Sequence, residues 1–137
     1  MSNDYPLDMK KIYTLLILSV AWAILIFVLC TLPPGGLPKV RIPYFDKIAH
    51  FGVFFVQSAL LSLLLNYKTK ISFLWIILLS TFVAFVYGGL IEILQSNFFN
   101  RTGDVIDLIA DVLGGFCGAI AYPIILRIFN RIFRNYR

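Results

Sequence analysis

"IYTLLILSVAWAILIFVLCTL", residues 12 to 32, contains no charged side chain. Wound as a helix at ~1.5 Å per residue, it is about 30 Å long, the thickness of the hydrocarbon core of a bilayer. The run reads as a transmembrane helix. It is too long for the apolar region of a cleaved leader, usually about 7–15 residues, and no small-residue cleavage pattern follows it. Lys10 and Lys11 flank it on one side. The segment is expected to be retained and to act as its own insertion signal.

Outward from this run the same character continues. Of 137 residues, 60% are hydrophobic and 14% charged, with a mean hydropathy of +0.87. A soluble domain needs more polar surface than this. Three further apolar runs cover residues 48–65, 71–94 and 105–125. Each approaches or exceeds the ~18 residues of a membrane span. "TLPPGGLPKVRIP", residues 31–43, cannot continue a helix, because four prolines remove donors and restrict the backbone. "NYKTK", 66–70, and "NFFNRTG", 97–103, are shorter breaks. The expected fold is all-α: one polytopic membrane domain over 1–137, with four transmembrane helices near 12–32, 46–66, 71–96 and 104–126. The basic tail 127–137 reads either as an amphipathic extension on the membrane surface or as the end of the fourth helix.

The charges give orientation. With both termini cytoplasmic, the inner segments hold Lys10, Lys11, Lys68, Lys70, Arg127, Arg131, Arg134 and Arg137, against Lys39, Arg41, Lys47 and Arg101 outside. Eight against four favours that topology, since cytoplasmic loops accumulate Lys and Arg. The net charge of +5 is thus explained by membrane orientation, and nucleic acid is excluded as a partner. Cys30 and Cys117 lie in apolar runs and read as small buried hydrophobes. There is no CxxC pair, and the single histidine argues against a His-rich metal site. The length leaves no room for a separate catalytic domain.

The helices are not uniformly apolar, and their exceptions agree in depth. In the N-in, C-in arrangement, Asp46, Lys47 and His50 open the second helix on the outer side. Glu92 and Gln95 close the third there. Arg101 precedes the fourth, whose first turns hold Asp104, Asp107 and Asp111. The spacings i, i+4 and i, i+3, i+7 put each set on one stripe of its helix. Asp111 lies about 10 Å deeper than Asp104. A carboxylate near mid-bilayer costs roughly 2.5–3.5 kcal/mol on insertion scales. The stripes are therefore expected to face each other around an outward-opening polar cavity. Arg101, Lys47 and His50 are its available cations, and the purely apolar first helix is an anchor. Gly114 and Gly118 form a small-xxx-small face for close helix contact. Tyr44, Phe45, Phe98 and Phe99 read as an interfacial aromatic belt.

"DKIAHF" (46–51), "YGGLIEILQ" (87–95) and "RTGDVIDLIADVLGG" (101–115), in this order, resemble the VanZ-like family. The resemblance extends over nearly the whole chain. Its signature positions fall on Asp46, Lys47, His50, Phe51, Tyr87, Gly88, Glu92, Gln95, Arg101, Asp104, Asp107, Ala110, Gly114 and Gly118. The family's pattern has Asn after the alanine where this chain has Asp111, so a role needing a neutral amide there does not carry over. The resemblance implies a small protein of the bacterial inner (cytoplasmic) membrane, related to a protein linked to reduced sensitivity to teicoplanin, a lipid-bearing glycopeptide. It implies no reaction.

Three functions are compatible with these residues. In the first, Asp46, Lys47, Gln95, Arg101, Asp104, Asp107 and Asp111 bind an anionic lipid headgroup, a lipid-linked cell-wall precursor or a lipoglycopeptide, with a role in glycopeptide resistance or envelope homeostasis. In the second, the chain is an intramembrane enzyme on such a lipid. His50 is then base or nucleophile, oriented by Asp46, and Glu92 an acid. In the third, the polar groups pair fully and only hold helices or a partner protein. His50 then bonds to Asp46 or Glu92. No cofactor is required. Glu92, Asp104, Asp107 and Asp111 are the residues that would hold Mg²⁺ or another hard divalent cation. No GxSxG, HExxH or P-loop is present. Membrane lipids are the expected partners, and nothing in the sequence sets an oligomeric state.

Overall fold

The computed structural model describes residues 9–32, 43–99 and 103–134, with side chains through 132. Four α-helices make up these residues: α1 Met9–Thr31, α2 Phe45–Lys68, α3 Phe73–Phe98 and α4 Val105–Arg134. All four are long and apolar enough to cross a membrane, and the chain is a multi-pass membrane protein. Many large apolar side chains are open to the outside, including Ile17, Leu74, Phe82 and Ile93. The buried positions include Ser58, Ser62, Ser80, His50, Glu92 and Asp111. Small and polar groups face inward and bulky hydrocarbon faces out, as a lipid solvent requires.

The helix limits differ from the expected ones mainly at α4. It continues without a break through Pro123 and the basic segment to Arg134, so the described part of the tail is the end of α4. The proline-rich connection falls mostly in 33–42, outside the described residues. At its far end, Tyr44 caps α2 with φ 59°, a left-handed conformation that a bulky side chain rarely adopts.

Glycine sets how close the helices come. α2 and α4 run parallel and make the most intimate contact of the bundle. A Cβ at Gly114 would stand 2.2 Å from the carbonyl oxygen of Phe51, and one at Gly118 2.0 Å from that of Phe55. Only hydrogen fits there, so backbone packs on backbone. A Cβ at Gly115 would stand 2.4 Å from the Ala84 side chain of α3. α3 runs antiparallel to both α2 and α4 and packs against them.

α1 packs against α2 and α3 and is tied to them by three polar bonds. The Trp22 indole N–H donates to the Val53 carbonyl at 2.8 Å, and the Tyr87 hydroxyl to the Ala23 carbonyl at 2.6 Å. The Gln95 side-chain amide donates to the Cys30 carbonyl at 2.6 Å. Cys30 lies in the last turn of α1, whose carbonyls have no partner within the helix.

Candidate functional site

Because α2 and α4 are parallel, both place their N-termini at one end of the bundle. The positive ends of two helix dipoles meet there, and acids in the first turns are stabilised by them. Asp46 occupies the first turn of α2 and Asp107 that of α4. Asp104 precedes α4 and caps it, its Oδ1 accepting the Ile106 N–H at 2.8 Å. Glu92 reaches over from the end of α3, its Oε2 accepting the backbone N–H of Asp104 at 2.9 Å.

The parallel register then pairs the side chains. Lys47 Nζ lies 2.9 Å from Asp104 Oδ2 and 2.8 Å from Asp107 Oδ1. One turn deeper, His50 Nδ1 lies 2.8 Å from Asp111 Oδ1. His50, Glu92 and Asp111 are buried, and each offers a ligand atom within 4.8 Å of the other two. Asp46, His50 and Asp107 form a second such group nearer the rim, sharing the histidine. Exposure falls steadily with depth. The Asp104 side chain is 38% exposed, Lys47 25%, and Asp111 0%. The Lys47 ammonium and the Ile106 N–H hold the Asp104 carboxyl below the usual carboxylate range.

The expected convergence of three helices is therefore present, with changes of detail. His50 is oriented by Asp111 of α4, not by Asp46 one turn away on its own helix. Gln95 turns from the acidic cluster to α1. Lys47 engages both outer acids of α4, whereas Arg101 lies outside the described residues. The rim of the site is exposed, and His50, Glu92 and Asp111 beneath it are buried. A groove of about 550 Å³ lies elsewhere, between α1 and α3, with apolar walls such as Phe27 and Val86 and with Gln57 of α2 at its edge.

Gly88 of α3 also shapes the site. A Cβ at Gly88 would lie 2.6 Å from Asp111 Oδ2, so this glycine makes the space the deepest carboxylate fills. Its spacing of one turn from Glu92 is the signal that could have found it. Two carboxylate oxygens, Glu92 Oε1 and Asp111 Oδ2, are buried with no hydrogen-bond partner. Carboxylate oxygens left so weigh against a network built only to hold helices together, since an unpaired buried polar atom costs about 1–3 kcal/mol, and more when charged.

The model of the VanZ/LLP1 family matches residues 9–127, and the chain belongs to that family. No curated protein matches the sequence. No solved structure matches it either.

Proposed function

We propose that this family member binds the polar head of an envelope lipid, a lipid-linked cell-wall precursor or a lipoglycopeptide at the end of the bundle where Lys47 and the acids gather. That end faces outward from a bacterial cytoplasmic membrane, both termini being cytoplasmic, and the binding serves glycopeptide resistance or envelope homeostasis. The observation that carries the reading is the pair of buried, unpartnered carboxylate oxygens on Glu92 and Asp111, behind a rim where Lys47 is a quarter exposed. The interior is prepared for a group the protein does not itself contain. The rim supplies an ammonium that a headgroup phosphate or carboxylate can share with Asp104 and Asp107.

Enzymatic action on the same lipid is the second reading, favoured by one feature. Asp111 fixes the His50 ring through Nδ1, which directs Nε2 as the nitrogen for proton transfer. Turnover would then need His50 and Glu92.

The test uses the full chain in nanodiscs containing bacterial lipids, with native mass spectrometry for retained lipid and glycopeptide susceptibility of expressing cells. Wild type is expected to retain a headgroup-bearing ligand. Glu92→Gln and Lys47→Gln are expected to lose it, together with resistance, at an unchanged melting temperature. Loss of folding in step with loss of binding would leave only a helix-holding role.

A further inference from the structure

Besides Asp46, which has an interaction of its own, the described residues of this end carry four carboxyl groups, Glu92, Asp104, Asp107 and Asp111, against Lys47 and His50. Two helix N-termini offset roughly half a charge each, and mainly in the first turn. Lys47 is already shared by Asp104 and Asp107. Among the described residues, the deepest acids, Glu92 and Asp111, have one further neighbour of basic character, the His50 ring, and each retains an oxygen with no hydrogen-bond partner. Charge of one sign so poorly compensated in a low-dielectric interior is relieved by a proton or by a cation, and a cation also engages both unpartnered oxygens.

We propose that His50, Glu92 and Asp111 bind one divalent transition-metal ion of the Mn²⁺ to Zn²⁺ class. The donor set favours this class. One imidazole with two carboxylates suits borderline first-row ions, whereas Ca²⁺ asks for six to eight oxygens. The geometry fits. Ligand atoms about 2.0–2.2 Å from a tetrahedral ion lie roughly 3.3–3.6 Å apart, and these three lie within 4.8 Å of one another, a separation that side-chain rotation closes. All three residues are buried and come from three different helices, so the ligands are held by the fold itself. Gly88 keeps the space around the Asp111 carboxylate clear. The rim group of Asp46, His50 and Asp107 is the weaker candidate, because Lys47 already occupies Asp107.

The proposal rests on reading this end as a ligand site, and it deepens that reading. Three protein ligands leave coordination positions open. An ion there turns an acidic interior into one that attracts an anionic headgroup oxygen. The substrate class that follows is a phosphate- or carboxylate-bearing lipid that contacts metal and Lys47 together.

The single histidine of the chain makes the test specific. Full-length protein, purified through a histidine-free tag and stripped with a chelator, is loaded with Mn²⁺ in nanodiscs. Metal content is measured, and pulsed electron paramagnetic resonance reads nitrogen coupling. One ion per chain is expected, coupled to one imidazole nitrogen, which only His50 can supply. Glu92→Gln and Asp111→Asn are expected to weaken binding by more than the roughly 10–100-fold typical of outer-shell partners. Ser62→Ala is expected to leave it unchanged. Because the nitrogen signal is read on wild type, it does not depend on any variant folding. Binding without nitrogen coupling would place the ion on the rim acids and overturn the assignment, as would no binding at all. Lipid retention by the stripped protein then separates the two ideas: retention with no metal site keeps headgroup binding and ends the metal, and loss of both ends both.

Discussion

The two halves of this bundle handle buried polarity in different ways. In the half nearer the start of α1, the buried groups are neutral and small. Ser62 Oγ donates to Ser80 Oγ at 2.9 Å, and Ser58 Oγ to the Ser80 carbonyl at 3.3 Å. Tyr67 bonds to Asn130, and Lys11 lies 5.7 Å from the Tyr67 ring centre, near the rim of the bundle. In the other half, carboxylates, an ammonium and an imidazole are gathered from three helices. The hydroxyl half shows what helix association needs: a few interhelical hydrogen bonds of about 0.6 kcal/mol each. The ionised half exceeds that need. Unpartnered atoms occur in both, but Ser19, Gln57 and Thr81 leave neutral oxygens, which cost less than the carboxylates of Glu92 and Asp111. What distinguishes the functional end is the kind of group buried, more than the number.

The comparison breaks most completely where both halves depend on one contact. Gly118→Val drives a side chain into the Phe55 carbonyl and forces α2 and α4 apart. A loss of about 3 kcal/mol is expected, seen as a large fall in melting temperature in detergent, with binding and helix packing failing together.

A matched pair of truncations sharpens it. Asp111→Ala strips His50 of its hydrogen-bond partner and should cost about 1–3 kcal/mol, while Asp111→Asn keeps shape and fold but loses ligand. Ser62→Ala should cost about 0.6 kcal/mol and leave ligand retention intact. Equilibrium unfolding beside a binding assay checks both. Equal effects at the two sites would erase the difference between the halves.

The smallest expected effect is a pH dependence at the rim. The Asp104 carboxyl is held below its unfolded value of about 3.9 by Lys47 and the Ile106 N–H. A depressed carboxylate contributes stability that is complete above the unfolded value and is lost as pH falls through the folded one. Melting should therefore be insensitive to this group from pH 8 to about 5, and decline below about 4. Asp104→Asn should flatten that acid limb slightly, because the group is partly exposed and screened.

Much of this was legible in the sequence. Four apolar runs located the four helices because a bilayer imposes a length. Charges at alternate ends of those runs placed Asp46, Lys47, His50, Glu92, Asp104, Asp107 and Asp111 at one depth without any knowledge of packing. Partner choice was not legible. His50 selects Asp111 over Asp46 because Gly114 and Gly118 bring α4 almost into backbone contact with α2, and the rotation of one helix against the other is a tertiary quantity. Gln95 selects α1 because the last-turn carbonyl of Cys30 arrives beside it, which depends on where α1 ends and docks. Gly88 has no chemistry of its own; only the shape of Asp111 gives it a role.

The bond from the Asp104 amide to the Glu92 carboxylate has a consequence for biosynthesis. Spans leave the ribosome in order, and a fourth segment carrying Asp107 and Asp111 would meet the translocon as an unattractive candidate for lipid. This bond joins it to the segment just before it across a connection of a few residues, so the two can partition as a preformed hairpin. By then Lys47 and His50 are already resident in the membrane. The acids of the last segment are delivered to waiting partners, and at no stage need they face the acyl chains alone.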